Sequence, residues 1–68
     1  MYSKDVGATV KVVYQDGNKI SIIQRGKLLE YDSSISTLKI LDFFINKKVY
    51  INVSQIHKLI ILEEDNHG

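Results

Sequence analysis

The sequence predicts an all-β fold: one small, strongly bent barrel of five strands. Three observations predict it. β-Branched and aromatic residues dominate, and no segment sustains a helical apolar period over three turns. Turn-forming residues recur at short intervals, at Asp16-Gly17, Arg25-Gly26, Asp32-Ser33-Ser34 and Asn46-Lys47-Lys48. The chain has 68 residues, with no linker, repeat or low-complexity stretch. That is one domain. Its ordered core is expected over residues 8–62, followed by an acidic tail over 63–68.

The first element is a hairpin. Thr9–Tyr14 and Asn18–Ile23 flank Gln15-Asp16-Gly17. A three-residue loop with Gly17 left-handed pairs Val12 with Ile20 and Val10 with Ile22, which keeps the apolar alternation of both strands on one side. Gly26 then predicts a bend or bulge that separates the second strand from a third, Lys27–Tyr31. The run Ile35–Ile45 is long and changes phase. Leu38 and Ile40 share a face with Asp42, while Phe43 and Ile45 fall on the other, so a bulge near Asp42 is expected in preference to a buried hydrogen bond.

Asn46-Lys47-Lys48 is expected as a polar turn. Val49, Ile51 and Val53 alternate inward along the next strand, with Tyr50 outward. Ser54-Gln55-Ile56 reads as one tight turn before the last strand, His57–Leu62. That strand is apolar on both faces, with Leu59 and Ile61 on one and Ile60 and Leu62 on the other. A barrel has a single interior, so the second face needs another chain. A short turn and one more strand is also how SH3-like barrels commonly end.

Composition narrows the function. A domain this small buries only about 60% of its unfolded surface and needs an additional source of stability. With no Cys there are no disulfides or thiolate metal sites, and His57 and His67 alone make a metal centre unexpected. Oligomerisation is left. Residues 1–48 carry eight Lys/Arg against five Asp/Glu, a balance of +3, whereas residues 49–68 carry one Lys and three acids, a balance of −2. The basic body permits nucleic-acid contact. The longest apolar runs are Phe43-Phe44-Ile45 and Leu59–Leu62, far short of the ~20 residues of a membrane span. A cytoplasmic protein without a membrane partner is the expectation.

The segment Gly26–Ser36 resembles the first motif of the Sm-like family: Gly, any residue, Leu, three positions ending in an aromatic, Asp, two positions, an apolar residue, then Asn. Gly26, Leu28, Tyr31, Asp32 and Ile35 fall in step. Val10–Gly17 is similar to the strand and turn upstream of that motif, and Ile51–Ile56 lies where the second motif would fall. The resemblance spans roughly residues 8–62. It implies a ring-forming barrel that binds RNA, with neighbouring subunits pairing their late strands. At the family's base-reading positions the residues differ: Ser36 stands for the uridine-reading Asn, Ser34 for the stacking aromatic, and Asn52-Val53 for Arg-Gly. Gly17 and Gly26 are also further apart than the family's two glycines.

Nothing in the chain suggests catalysis or a cofactor. No Cys is present, no Ser sits in a nucleophile elbow, and Glu30 and Asp32 share a solvated strand face. The candidate nucleic-acid or ligand contacts are Arg25 and Lys27 beside Gly26, Lys47 and Lys48, and the motif positions Asp32, Ser36 and Asn52. Basic turn residues also serve solubility. The candidate oligomer contacts are Tyr50, Ile60 and Leu62. The first hypothesis is therefore a homo-oligomeric Sm-like RNA-binding module. The alternative is an interaction or inhibitor module, of the kind mobile elements encode, that binds a protein or a small ligand between subunits.

Overall fold

The computed structural model describes residues 2–64. The chain is all-β, with five antiparallel strands in one sheet: β1 (Thr9–Gln15), β2 (Ser21–Asp32), β3 (Thr37–Asp42), β4 (Lys47–Asn52) and β5 (Ile56–Glu63). A single 3₁₀ turn, Tyr2–Asp5, precedes β1, and another, Val53–Gln55, joins β4 to β5. The strand order is β4-β3-β2-β1-β5, so the fifth strand returns to pair with the first. β4 and β5 form the two edges. The hydrogen-bond ladders join all five strands in one antiparallel sheet between those edges.

The core is the inner face of this sheet. Val10 and Val12 of β1, Leu28 of β2, Leu38 and Ile40 of β3 and Ile51 of β4 are almost fully buried, with Ala8 beside them. Leu59 and Ile61 of β5 pack against this cluster, as do Tyr14, Tyr31 and Val49. Register explains the selection: Val10 faces Ile61, Val12 faces Leu59, Leu28 faces Ile40, and Leu38 faces Ile51. Ile60 and Leu62 fall on the opposite face of β5, with Ile60 beside Lys11.

Every strand connection opens on the same device. An Asp or Asn carbonyl or carboxylate oxygen accepts the backbone N–H two residues on: Asp16 from Asn18 (2.8 Å), Asp32 from Ser34 (3.0 Å), Asp42 from Phe44 (2.8 Å) and Asn52 from Ser54 (2.9 Å). Such side chains imitate a backbone turn and end the ladder. Three of these connections also contain a left-handed residue, namely Lys19, Ser36 and Asn46.

Several local expectations are corrected. Tyr14 pairs with Ile22 and Val10 with Gly26, so the predicted register is displaced by four residues. An even displacement leaves every side chain on its own face, and face alternation could not detect it. The turn itself is Gly17-Asn18-Lys19, closed by Asp16 N–H to the Ile20 carbonyl (3.0 Å) and Lys19 N–H to the Asp16 carbonyl (3.0 Å). Lys19, at φ 62°, takes the left-handed position expected of Gly17. Gln15 belongs to β1.

Gly26 does not divide a strand, because β2 runs without interruption from Ser21 to Asp32. A Cβ at Gly26 would overlap the Leu41 carbonyl, so glycine is there for close approach of β3. The register irregularity falls between Leu28 and Glu30. Asp42 marks no bulge either. It is buried, ends β3, and accepts hydrogen bonds from Gln24 Nε2 and the N–H groups of Phe44 and Ile45 (3.3 Å for Ile45). Phe43–Asn46 form the turn, so Phe43 and Ile45 leave the strand, and Lys47 and Lys48 begin β4. Glu63 closes β5, whereas Asp65–Gly68 of the predicted tail lie outside the described residues.

Candidate functional site

The alternation that buries the core sends a second set of side chains to the outer face. On β1 this set includes Lys11, on β2 Arg25 and Lys27, on β4 Lys48, and on β5 Lys58, each between or next to inward-facing residues. Register joins them into a stripe. Lys11 lies directly opposite Arg25, and Lys58 stands two residues along β5 from Ile60, the partner of Lys11. Lys27 lies opposite Leu41, which on its other side faces Lys48. The stripe therefore crosses the sheet from β5 to β4.

No carboxylate among the described residues lies within ion-pairing distance of these five cations. Among the described residues one salt bridge forms, Lys39 to Glu30 at 3.4 Å. Directly opposed side chains in an antiparallel pair have Cβ atoms about 5 Å apart, and like charges there are destabilising. The Lys11–Arg25 pair is such a placement. An anion lying along the stripe would reverse its sign.

The sequence-predicted contacts separate into two groups. Arg25, Lys27 and Lys48 join the stripe, and Lys47 is exposed at the start of β4, opposite Asp42. Asp32, Ser36 and Asn52 meet at the other end of β4, where Thr37 faces both Asp32 and Asn52 and Val53 N–H bonds the Ser36 carbonyl at 2.8 Å. This trio is occupied with its own turns. Asp32 accepts from Ser34 Oγ (2.5 Å) as well as Ser34 N–H, and those bonds hold its carboxyl below the ordinary carboxylate value. Asn52 accepts from Ser54 Oγ (2.6 Å), and Ser36 is left-handed at φ 49°.

Lys11 and Lys58 are functional candidates that sequence reasoning missed. Lys11 stands between Val10 and Val12 and Lys58 between His57 and Leu59, and only register sets Lys11 opposite Arg25 and Lys58 near Lys11. The apolar run Phe43-Phe44-Ile45, expected within a strand, is an exposed turn tip.

The remaining candidates are quickly placed. Tyr50 is 64% exposed, with Lys39 Nζ 5.8 Å from its ring centre, and Leu62 is 50% exposed, while Ile60 is half-buried. A shallow pocket of about 220 Å³ lies between Tyr50, Lys39, Ile35 and Asp32. A second, about 390 Å³, lies between the N-terminal turn and β5, near Asp5, Ile61 and Glu64. His57 is exposed on β5, and His67 lies outside the described residues. Among the described residues no three His, Cys, Asp or Glu side chains cluster as metal ligands would. At the core's end, Tyr14 Oη donates to Gln24 Oε1 (3.3 Å), and burial, with Asp16 near, pushes the Tyr14 hydroxyl above its ordinary value.

No family model, curated protein or solved structure matches the chain.

Proposed function

We propose that this chain is a non-enzymatic, homo-oligomeric binding module whose outer sheet face holds nucleic-acid phosphates, those of RNA first. The observation that carries this is the unpaired stripe Lys58–Lys11–Arg25–Lys27–Lys48. Phosphate contact is the chemistry such a stripe offers, because each neutralised phosphate releases counterions whatever the sequence of the strand. The motif residues Asp32, Ser36 and Asn52 contribute turn structure in this reading, and base identity is not read there.

Two further features support it. The 3₁₀ turn that leads into β5 is the ending common to SH3-like barrels and agrees with the Sm-like pattern of the sequence. Both sheet edges, β4 with Tyr50 and β5 with Leu62, are unpaired. Free edges invite strand pairing between copies, and a homo-oligomer formed through them would cover exposed apolar surface.

The test is a salt titration of RNA and DNA binding on protein whose mass is fixed by light scattering. About four phosphate contacts on a single strand give a slope near −3 in log affinity against log salt. Lys11→Gln with Arg25→Gln should flatten that slope by roughly 1.4. A multimeric mass is expected. Absence of binding at low salt, or binding indifferent to salt, overturns the phosphate reading, and a monomeric mass overturns the assembly.

A further inference from the structure

The tip of the β3–β4 turn is apolar, exposed and firmly built. Phe44 is 83% exposed and Phe43 55%. Their turn is fixed from below by the buried Asp42, which accepts the Phe44 and Ile45 N–H groups and is itself bonded by Gln24, the partner of Tyr14. Asn46 closes it in the left-handed region, at φ 51°. Nothing in that geometry needs aromatic side chains. The Asp16 turn uses the same carboxylate device with Gly17-Asn18-Lys19 at its tip. Two exposed Phe rings are a solubility liability without structural return.

Charge indicates what they meet. Lys47 and Lys48 follow the tip directly, and Lys48 is one end of the cationic stripe. Arg25 flanks Gly26, which faces Asp42 at the foot of the turn. A track of cations that ends at exposed aromatic rings is the arrangement that binds single strands: phosphates follow the charges, and a base stacks on the ring. A duplex keeps its bases stacked on one another and cannot use such a tip. A lipid surface would use a collar of cations around an inserted loop. Here the cations run away from the tip across the sheet to Lys11 and Lys58.

We propose that Phe43 and Phe44 form a stacking platform for the bases of a single-stranded nucleic acid whose phosphates lie along the stripe. This rests on the phosphate-binding reading above and names its substrate class. The experiment compares a labelled RNA strand of about 12 nucleotides, an abasic strand of equal length and a duplex, by fluorescence anisotropy at low salt. Vesicles containing phosphatidylserine form a fourth arm. Wild type is expected to bind the base-bearing strand at least about fivefold more tightly than the abasic strand. Phe43→Ser with Phe44→Ser should abolish that preference while leaving abasic affinity and the salt slope unchanged, and Phe44→Tyr should retain it. Thermal melts of the variants establish that they are folded.

Equal wild-type affinity for the base-bearing and abasic strands overturns stacking and leaves phosphate binding standing, as does a preference for duplex. Failure to bind either strand overturns the phosphate reading itself. Vesicle capture that depends on Phe43 and Phe44, with strand binding unaffected by their loss, overturns the proposal in favour of a lipid surface.

Discussion

Two turns of this sheet are built on one plan and differ in what surrounds them. At the β1–β2 turn the Asp16 carboxylate accepts the N–H groups of Asn18 and Ile20, at 2.8 and 3.0 Å, on a polar and exposed hairpin tip. At the β3–β4 turn Asp42 accepts from Phe44 and Ile45 in the same way, but it is only 7% exposed and tied to Gln24. The first turn ends a hairpin. The second anchors to the core, through Gly26 opposite Asp42, a tip that the core does not need. Shared local chemistry thus supports a polar tip at one turn and an exposed aromatic tip at the other.

The contrast can be broken most severely at its base. A methyl group added at Gly26 meets the backbone carbonyl of Leu41, which cannot rotate away as a side chain would. Gly26→Ala is expected to cost about 3 kcal/mol or more, the upper range for overpacking. Urea unfolding with an unchanged slope and a lower midpoint checks it. A variant as stable as wild type would mean that β2 and β3 separate freely there.

The two carboxylates come next. Asp42→Ala removes acceptors from two backbone N–H groups and from Gln24 inside a partly buried site, and is expected to cost about 3 kcal/mol. Asp16→Ala removes bonds that water can replace and is expected to cost about 1 kcal/mol. Comparable losses from the two would show that burial does not separate these turns. The same melts sharpen the functional division, since Asp42→Ala should also loosen the Phe44 tip and Asp16→Ala should not.

Much of this architecture was legible in the sequence, and the misses have definite causes. Alternation identified Val10, Val12, Leu38, Ile40 and Ile51 as inward-facing, and Asp32 sits at a turn, as its side-chain chemistry suggests. What alternation cannot encode is an even displacement of register, which is how the β1–β2 pairing was misplaced. It also cannot distinguish an Asp that kinks a strand from one that ends it, so Asp42 hid the turn and the exposure of Phe43 and Phe44. The cationic stripe was half visible. Arg25-Gly26-Lys27 is a local cluster, but Lys11 and Lys58 join it only across strands.

The smallest expected effects lie in the first hairpin. Gly17 has open space around its Cβ position and is not among the residues with positive φ, so Gly17→Val should change stability by no more than about 0.5 kcal/mol. Lys19 is the residue in a strained conformation, and glycine occupies the left-handed region without a Cβ penalty. Lys19→Gly is expected to stabilise by about 0.5 kcal/mol, because relief of that strain is partly offset by the greater freedom of glycine in the unfolded chain. Paired denaturation curves on the two variants distinguish the possibilities. A large loss from Gly17→Val together with none of the gain from Lys19→Gly would move the left-handed position back to Gly17, and with it the register of β1 against β2. A neutral first variant and a stabilised second fix the turn at Gly17-Asn18-Lys19, which is the pairing that sets Lys11 against Arg25.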